Sequence, residues 1–302
     1  MSVVQVKNLK KSFQKHEVIK GLDFELMDKK CIALLGANGA GKTTTLQMLS
    51  GLIKPAAGEI TFSGSQKGED FRHLIGYLPQ HPVFYEWMTG REFLEYAGKL
   101  SGLSKKDSKM RAEELLRLVG IEEAKNRRIG KYSGGMKQRL GIAQAIIHRP
   151  KLVILDEPVS ALDPFGRREV LELMGRLKKE TAILFSTHIL NDAEEVCDEI
   201  LFLHNGRLVE AGSMEQLRDK HQQAKIDLEF KGDAASYADL LTALVNVQSH
   251  TIYGSKISIY VEDIEQAKSV FLKAIAEKNL PLLKFEISRT SLEEVFMKVV
   301  EK

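Results

Sequence analysis

Cys31–Leu52, CIALLGANGAGKTTTLQMLSGL, is the stretch that decides the fold. Five apolar residues, Cys31–Leu35, read as a compact strand, and GANGAGKT, Gly36–Thr43, follows without a break. Thr43–Leu52 then carries Leu46, Leu49 and Leu52 at helical spacing. Strand, glycine-rich loop and helix, in that order, are the setting of a phosphate-binding loop. Gly36, Gly39 and Gly41 let the backbone curl so that N–H groups point at phosphate oxygens. The helix that follows adds its positive N-terminal end. Candidate nucleotide contacts are therefore Gly36, Ala37, Asn38, Gly39, Ala40, Gly41, Lys42, Thr43 and Thr44. Lys42 is placed to bridge the β- and γ-phosphates of a nucleoside triphosphate, and the Thr43 hydroxyl to ligate Mg²⁺.

Further along, LVILDE, Leu152–Glu157, reads as a buried strand ending in two acids. Asp156 falls beside the Mg²⁺ site, and Glu157 stands where a carboxylate can orient or deprotonate an attacking water. After four buried aliphatics, an unsupported pair of acids is costly unless a metal or donors compensate it. YSGGM, Tyr132–Met136, opens another helix, with Ser133 as N-cap and Gly134 and Gly135 allowing close approach by a ligand. Taken singly, Ser-Gly-Gly is also an ordinary turn.

With all three motifs present, the chain resembles the ATP-binding subunit of an ABC transporter over roughly residues 1–218. The resemblance implies an α/β P-loop NTPase of the ABC nucleotide-binding type, with a helical subdomain at about 86–148. It also implies ATP and Mg²⁺ as ligands. Matching residues carry further roles over: Gln80 of GYLPQHP as the glutamine loop that contacts Mg²⁺ and water, and His188 of FSTHIL as the switch histidine. Ser160-Ala161-Leu162-Asp163 matches the loop that crosses the dimer interface, which makes Asp163 a candidate nucleotide contact. Phe13 lies where the family stacks an aromatic on adenine; the other reading is a core aromatic of the first hairpin. Under this resemblance each ATP sits between Gly36–Thr43 of one copy and Ser133–Gly135 of another. The partners implied are a second copy, or a related ATPase subunit, and a separately encoded membrane permease, with the chain peripheral at the cytoplasmic face of the membrane. Tyr132 and Met136 depart from the commonest signature, LSGGQ, and YSGGM resembles the version in bacterial ABC-2-type exporters. The ending SRTSLEEVFMKV resembles that branch too, and is equally an amphipathic helix capped by Ser291. An importer ATPase shares every catalytic motif, and a soluble ABC ATPase without a transport role is a further alternative.

Bulk properties fit this reading. The 302 residues are 28% charged and 43% hydrophobic, with a net charge of +3, so no concentrated basic stripe argues for nucleic acid. No stretch approaches the roughly eighteen apolar residues that span a bilayer. Cys31 and Cys197 have neither disulfide-scaffold nor metal-ligand spacing and read as buried thiols. Strands are expected at Val3–Val6, Ile19–Leu26, Ala182–Ser186 and Ile200–Leu203, and a helix at Met110–Val119 with Met110 on its apolar face. HPVFYEWM, His81–Met88, gathers aromatics suited to an interface or to the core of the helical subdomain. Composition changes near Arg218, and residues 219–302 alternate as β-α-β-β-α-β-α, a small ferredoxin-like α+β unit with an added helix at Ser291–Val300.

Overall fold

The structure is a computed structural model and describes residues 1–65, 69–160, 162–221, 224–288, 294 and 296. The chain divides into two compact units, Met1–Met214 and Glu215–Lys302.

The first unit opens with a hairpin of β1 (Ser2–Phe13) and β2 (His16–Met27). Both strands outrun the sequence expectation, because their polar outer halves carry little apolar signal yet keep pairing as far as Phe13 and His16. β3 (Cys31–Leu35) enters the glycine-rich loop, and α1 (Lys42–Leu49) leaves it. That helix stops before Leu52, which is 60% exposed rather than on the buried face expected of it. β4 (Ala57–Phe62) and β5 (Ile75–Leu78) come next. The helical subdomain holds α2 (Gly90–Leu100), α3 (Lys105–Leu118) and α4 (Gly134–Ala145). Thr89 starts α2 through a capping box with Glu92. In α3 the buried stripe runs through Ser108, Ala112, Leu115 and Leu116, while Met110 is 62% exposed. The sequence placement of Met110 is thereby corrected, since it lies on the opposite side of the helix from Ala112. β6 (Leu152–Asp156), α5 (Pro164–Leu177), β7 (Ala182–Thr187), α6 (Leu190–Val196), β8 (Glu199–His204) and β9 (Arg207–Ser213) complete the unit.

Two sheets result. One is antiparallel in the order β2-β1-β4; the other runs β5-β6-β7-β3-β8-β9 and is parallel except for β9. β3, β6 and β7 are buried at every position, which explains their unbroken apolar runs. In an open parallel sheet the ligand crevice lies beyond the carboxyl ends of the strands. Because β6, β7 and β3 are neighbours, that crevice collects the ends of three segments far apart in sequence.

In the second unit, after α7 (Met214–His221), come β10 (Ala224–Phe230), α8 (Ala235–Thr242), β11 (Val247–Tyr253), β12 (Lys256–Val261), α9 (Ile264–Glu277) and β13 (Leu282–Ser288). Their antiparallel order, β11-β12-β10-β13, is that of a split β-α-β unit. Ile226, Leu228, Ile257 and Ile259 face a core shared with Ala238, Leu241, Phe271 and Ile275 of the helices. Apart from Glu294 and Phe296, the helix expected at Ser291–Val300 lies outside the described residues, as does Ala161. Cys31 is buried and Cys197 only half-buried, against the expectation of two buried thiols. Burial, followed by contact with the Cys31 thiol, pushes the Cys197 thiol well up.

Candidate functional site

The glycine-rich loop is shaped by what surrounds it. Gly36 passes so close to β8 that a Cβ there would sit 2.3 Å from the Leu203 carbonyl oxygen. Gly41 caps α1 at φ 107°, a left-handed conformation, and an added Cβ would meet Ile19 Cδ1 at 2.5 Å. No side chain caps α1, so its first N–H groups remain free of side-chain acceptors. Lys42 is 6% exposed; its ammonium donates to the carbonyls of Gly36 at 2.8 Å and Ala37 at 3.2 Å. Burial pulls its pKa down, and the charges of Glu157 and then Asp156 pull it back up. Thr43 is exposed and Thr44 half-buried.

Asp156 is buried at the end of β6 and accepts a 2.6 Å hydrogen bond from the Ser186 hydroxyl. The same hydroxyl accepts from the Glu157 backbone N–H at 2.9 Å. Ser186 therefore locks both acids to β7. Glu157 has φ 47°, unusual for a non-glycine residue and a conformation that costs on the order of 1–3 kcal/mol. Its carboxylate gathers three partners: Gln80 Nε2 donates at 3.2 Å, His188 Nδ1 lies at 3.3 Å and Lys42 Nζ at 3.8 Å. So the structure brings Lys42, Gln80, Glu157 and His188 into one connected group. A cleft of about 430 Å³ opens there, lined by Asn38, Gly39, Gly41–Thr44, Gln80, Glu157 and Val18.

Other candidates stand apart from this cleft. Ser133 caps α4 by accepting from the Met136 N–H at 3.3 Å, and Ser133 and Gly134 are exposed. Neither they nor Gly135 are among the residues lining the cleft. Asp163 caps α5, accepting from the Gly166 N–H at 2.8 Å, which gives it a structural task of its own. Phe13 is 47% exposed at the hairpin tip with Lys11 Nζ 5.2 Å above its ring. That exposure removes the core reading of Phe13, and the cleft lining holds Val18 instead. Ser186 and Val18 escaped the sequence reading. Ser186 had a signal, a hydroxyl ending a buried strand two residues before His188; Val18 had none.

The segment His81–Met88 splits by alternation. Met88 is buried and Phe84 packs edge-on against Phe93 at 5.2 Å, whereas Val83, Tyr85 and Trp87 point outward. Val83, Phe84 and Tyr85 line a groove of about 530 Å³ together with Tyr96 and Leu100 of α2, and the Tyr85 and Tyr96 rings meet edge-on at 6.0 Å.

Residues 19–160 match the family described as ABC transporter, and residues 212–300 the one described as ATP-binding protein DrrA1-3-like, C-terminal domain. The chain is 46% identical over 301 residues to the ABC transporter ATP-binding protein YxlF of Bacillus subtilis (strain 168), covering 99% of each. It is 33% identical over 306 residues to the bacitracin transport ATP-binding protein BcrA of Bacillus licheniformis, covering 99% of this chain and 97% of the relative. A solved ATP-binding subunit of an ABC transporter shares 36% identity at a TM-score of 0.65, covering 72% of this chain and 92% of its own.

Proposed function

This chain belongs to the ABC transporter ATP-binding subunits, and from that premise we propose that two copies, head to tail, hydrolyse ATP to drive an exporter whose membrane-spanning part is a separate polypeptide. One observation carries the reading. Within one chain the Gly36–Thr43 cleft holds the catalytic group, while Ser133 and Gly134 are exposed and, with Gly135, stand outside the lining of that cleft. A second copy supplies the missing side.

In this reading the Gly36–Thr43 backbone N–H groups cradle the phosphates, and the Lys42 ammonium leaves its two carbonyl partners to meet the β- and γ-phosphates. Glu157 positions water against the γ-phosphorus and takes its proton as the bond to the β–γ bridging oxygen breaks and ADP leaves. His188 and Gln80 fix the Glu157 carboxylate and contact the terminal phosphate region. The Thr43 hydroxyl, the Asp156 carboxylate and the Gln80 amide oxygen are hard donors that suit Mg²⁺. When bound, the ion neutralises charge on the phosphates. Closing and reopening of the pair is then the stroke passed to the permease.

No helix among the described residues is long and apolar enough to cross a membrane; the likeness to transporter ATP-binding proteins is what supports a peripheral place at the cytoplasmic face of the membrane. The groove walled by Val83, Phe84, Tyr85, Tyr96 and Leu100 is where we place the permease contact. The YSGGM signature, the match of the second unit to a DrrA-like domain and the likeness to a bacitracin transport subunit all support export. Complementation tests the composite site. Lys42→Ala and Ser133→Arg chains should each be inactive alone, yet mixing them should restore ATP turnover through the one intact site of the mixed pair. Absence of turnover in a mixture that still binds ATP would contradict the head-to-tail arrangement.

A further inference from the structure

Both residues that set this signature loop apart, Tyr132 and Met136, touch one side chain, Arg127. An Nη2 donor of Arg127 lies 3.0 Å from Met136 Sδ, and the guanidinium sits 5.5 Å from the centre of the Tyr132 ring. The seat is rigid. Tyr132 is buried, its hydroxyl donates to the Ala124 carbonyl oxygen at 2.8 Å, and Gly90 leaves no room for it to move, since a Cβ there would stand 2.2 Å from that hydroxyl. The Arg127 backbone N–H donates to the same Ala124 oxygen at 2.9 Å, so ring and guanidinium are registered through one carbonyl.

What the seat holds is a charge without a counter-charge. A π face and a thioether steady a guanidinium but do not neutralise it. Among the described residues no carboxylate pairs with Arg127, and the side chain is exposed. The first turn of α4 holds no acid either, and Lys137 is already engaged by Glu86 at 2.9 Å. Most of the five N–H donors of Arg127 are uncommitted, and the guanidinium lies against Met136 in the first turn of the helix that Ser133 caps. Met136, at the third position of α4, has no side-chain hydrogen to donate, whereas the Arg127 guanidinium against it does.

We propose that Arg127 is a nucleotide-contacting residue of the composite site, donating from its seat on Tyr132 and Met136 to the polyphosphate of the ATP held by the second copy. A planar guanidinium suits two-pronged contact with phosphate oxygens. This rests on the head-to-tail reading above.

The test uses the full chain carrying Glu157→Gln, with Arg127→Met and Arg127→Lys added separately. ATP affinity is measured on the dilute single chain, and ATP-driven pairing by sedimentation over a range of chain concentrations. Arg127→Met should leave the single-chain affinity unchanged and raise the concentration for half-maximal pairing about tenfold or more, the size expected of a lost charge-assisted hydrogen bond. Arg127→Lys should fall between Met and the parent. Pairing of Arg127→Met at the parent's concentration overturns the proposal, as does a parallel loss of single-chain affinity. Should Arg127→Met melt below the parent without nucleotide, Arg127→Lys decides: parent-like melting with weakened pairing supports the contact, and parent-like pairing overturns it. A parent that never pairs with ATP sinks the head-to-tail reading itself and this inference with it, whereas a parent that pairs while Arg127→Met pairs equally well sinks only the inference.

Discussion

Glu157 shows how much of the chemistry is set by single residues. Its left-handed backbone and three side-chain neighbours hold the carboxylate in the lining of the cleft. Replacing it with Gln keeps the shape and removes the carboxylate to which the proposed mechanism assigns the proton. Glu157→Gln should therefore bind ATP normally and release phosphate about a hundredfold more slowly or worse. Ser186 offers a subtler check. Ser186→Ala leaves both the Asp156 carboxylate and the Glu157 N–H without a partner, at a cost of about 1–3 kcal/mol for a buried group left unpaired. Chemical denaturation should register that loss, and turnover should fall further than ATP affinity because the misplaced groups serve the hydrolytic step. The placement of Lys42, Asp156 and Glu157 was legible in the sequence because each motif is local: a loop and its helix, a strand and its end. The contacts of Ser186 with Asp156 and of Arg127 with Met136 were not, because they join residues thirty and nine apart that only folding brings together.

Elements repeat that division between local and distant causes. β3, β6 and β7 were readable from unbroken apolar runs, since strands covered on both faces can carry little else. The solvent-side extensions of β1 and β2 were not, because antiparallel pairing there is sustained by backbone bonds that leave no apolar trace. Met110 was misplaced since a Met on an exposed helix face looks, in sequence, like one on a buried face. The capping box at α2 was within reach of the sequence, and Thr89→Ala should cost about 1 kcal/mol, measured as a shift in urea midpoint. Trp87 is 69% exposed, so Trp87→Ala should leave the fold intact while weakening co-purification with the permease; unimpaired assembly and transport would remove this segment from the interface. His148, beside the same groove, carries a pH signature. Burial pulls its pKa below the ordinary value, with the Ile75 carbonyl opposing and the charge of His73 adding to the shift. Unfolded chains then bind more protons than folded ones as pH drops through about 6.5, so stability should decline on that acid side and be unaffected well above it. His148→Gln should flatten this part of the urea-midpoint profile.

For the molecule as a whole, the decisive feature is a site divided between two surfaces of one chain. The cleft with Lys42 and Glu157 lies at the carboxyl ends of the parallel strands, and the Ser133–Gly135 turn opens α4 in the helical subdomain. Both motifs are visible in the sequence; that Ser133–Gly135 do not line the Lys42 cleft is visible only in the fold. The second unit, Glu215–Lys302, has its own sheet and core, so its fold does not depend on the ATP cleft. Sedimentation velocity of the Glu157→Gln chain, with and without Mg²⁺ and ATP, bears most directly on the divided site. A single chain without nucleotide should become a pair with ATP, with one ATP retained per chain, and adding Ser133→Arg should abolish the pair while leaving ATP binding intact. A Glu157→Gln chain that stays single at saturating ATP, or one that pairs equally well with Ser133→Arg, would contradict it.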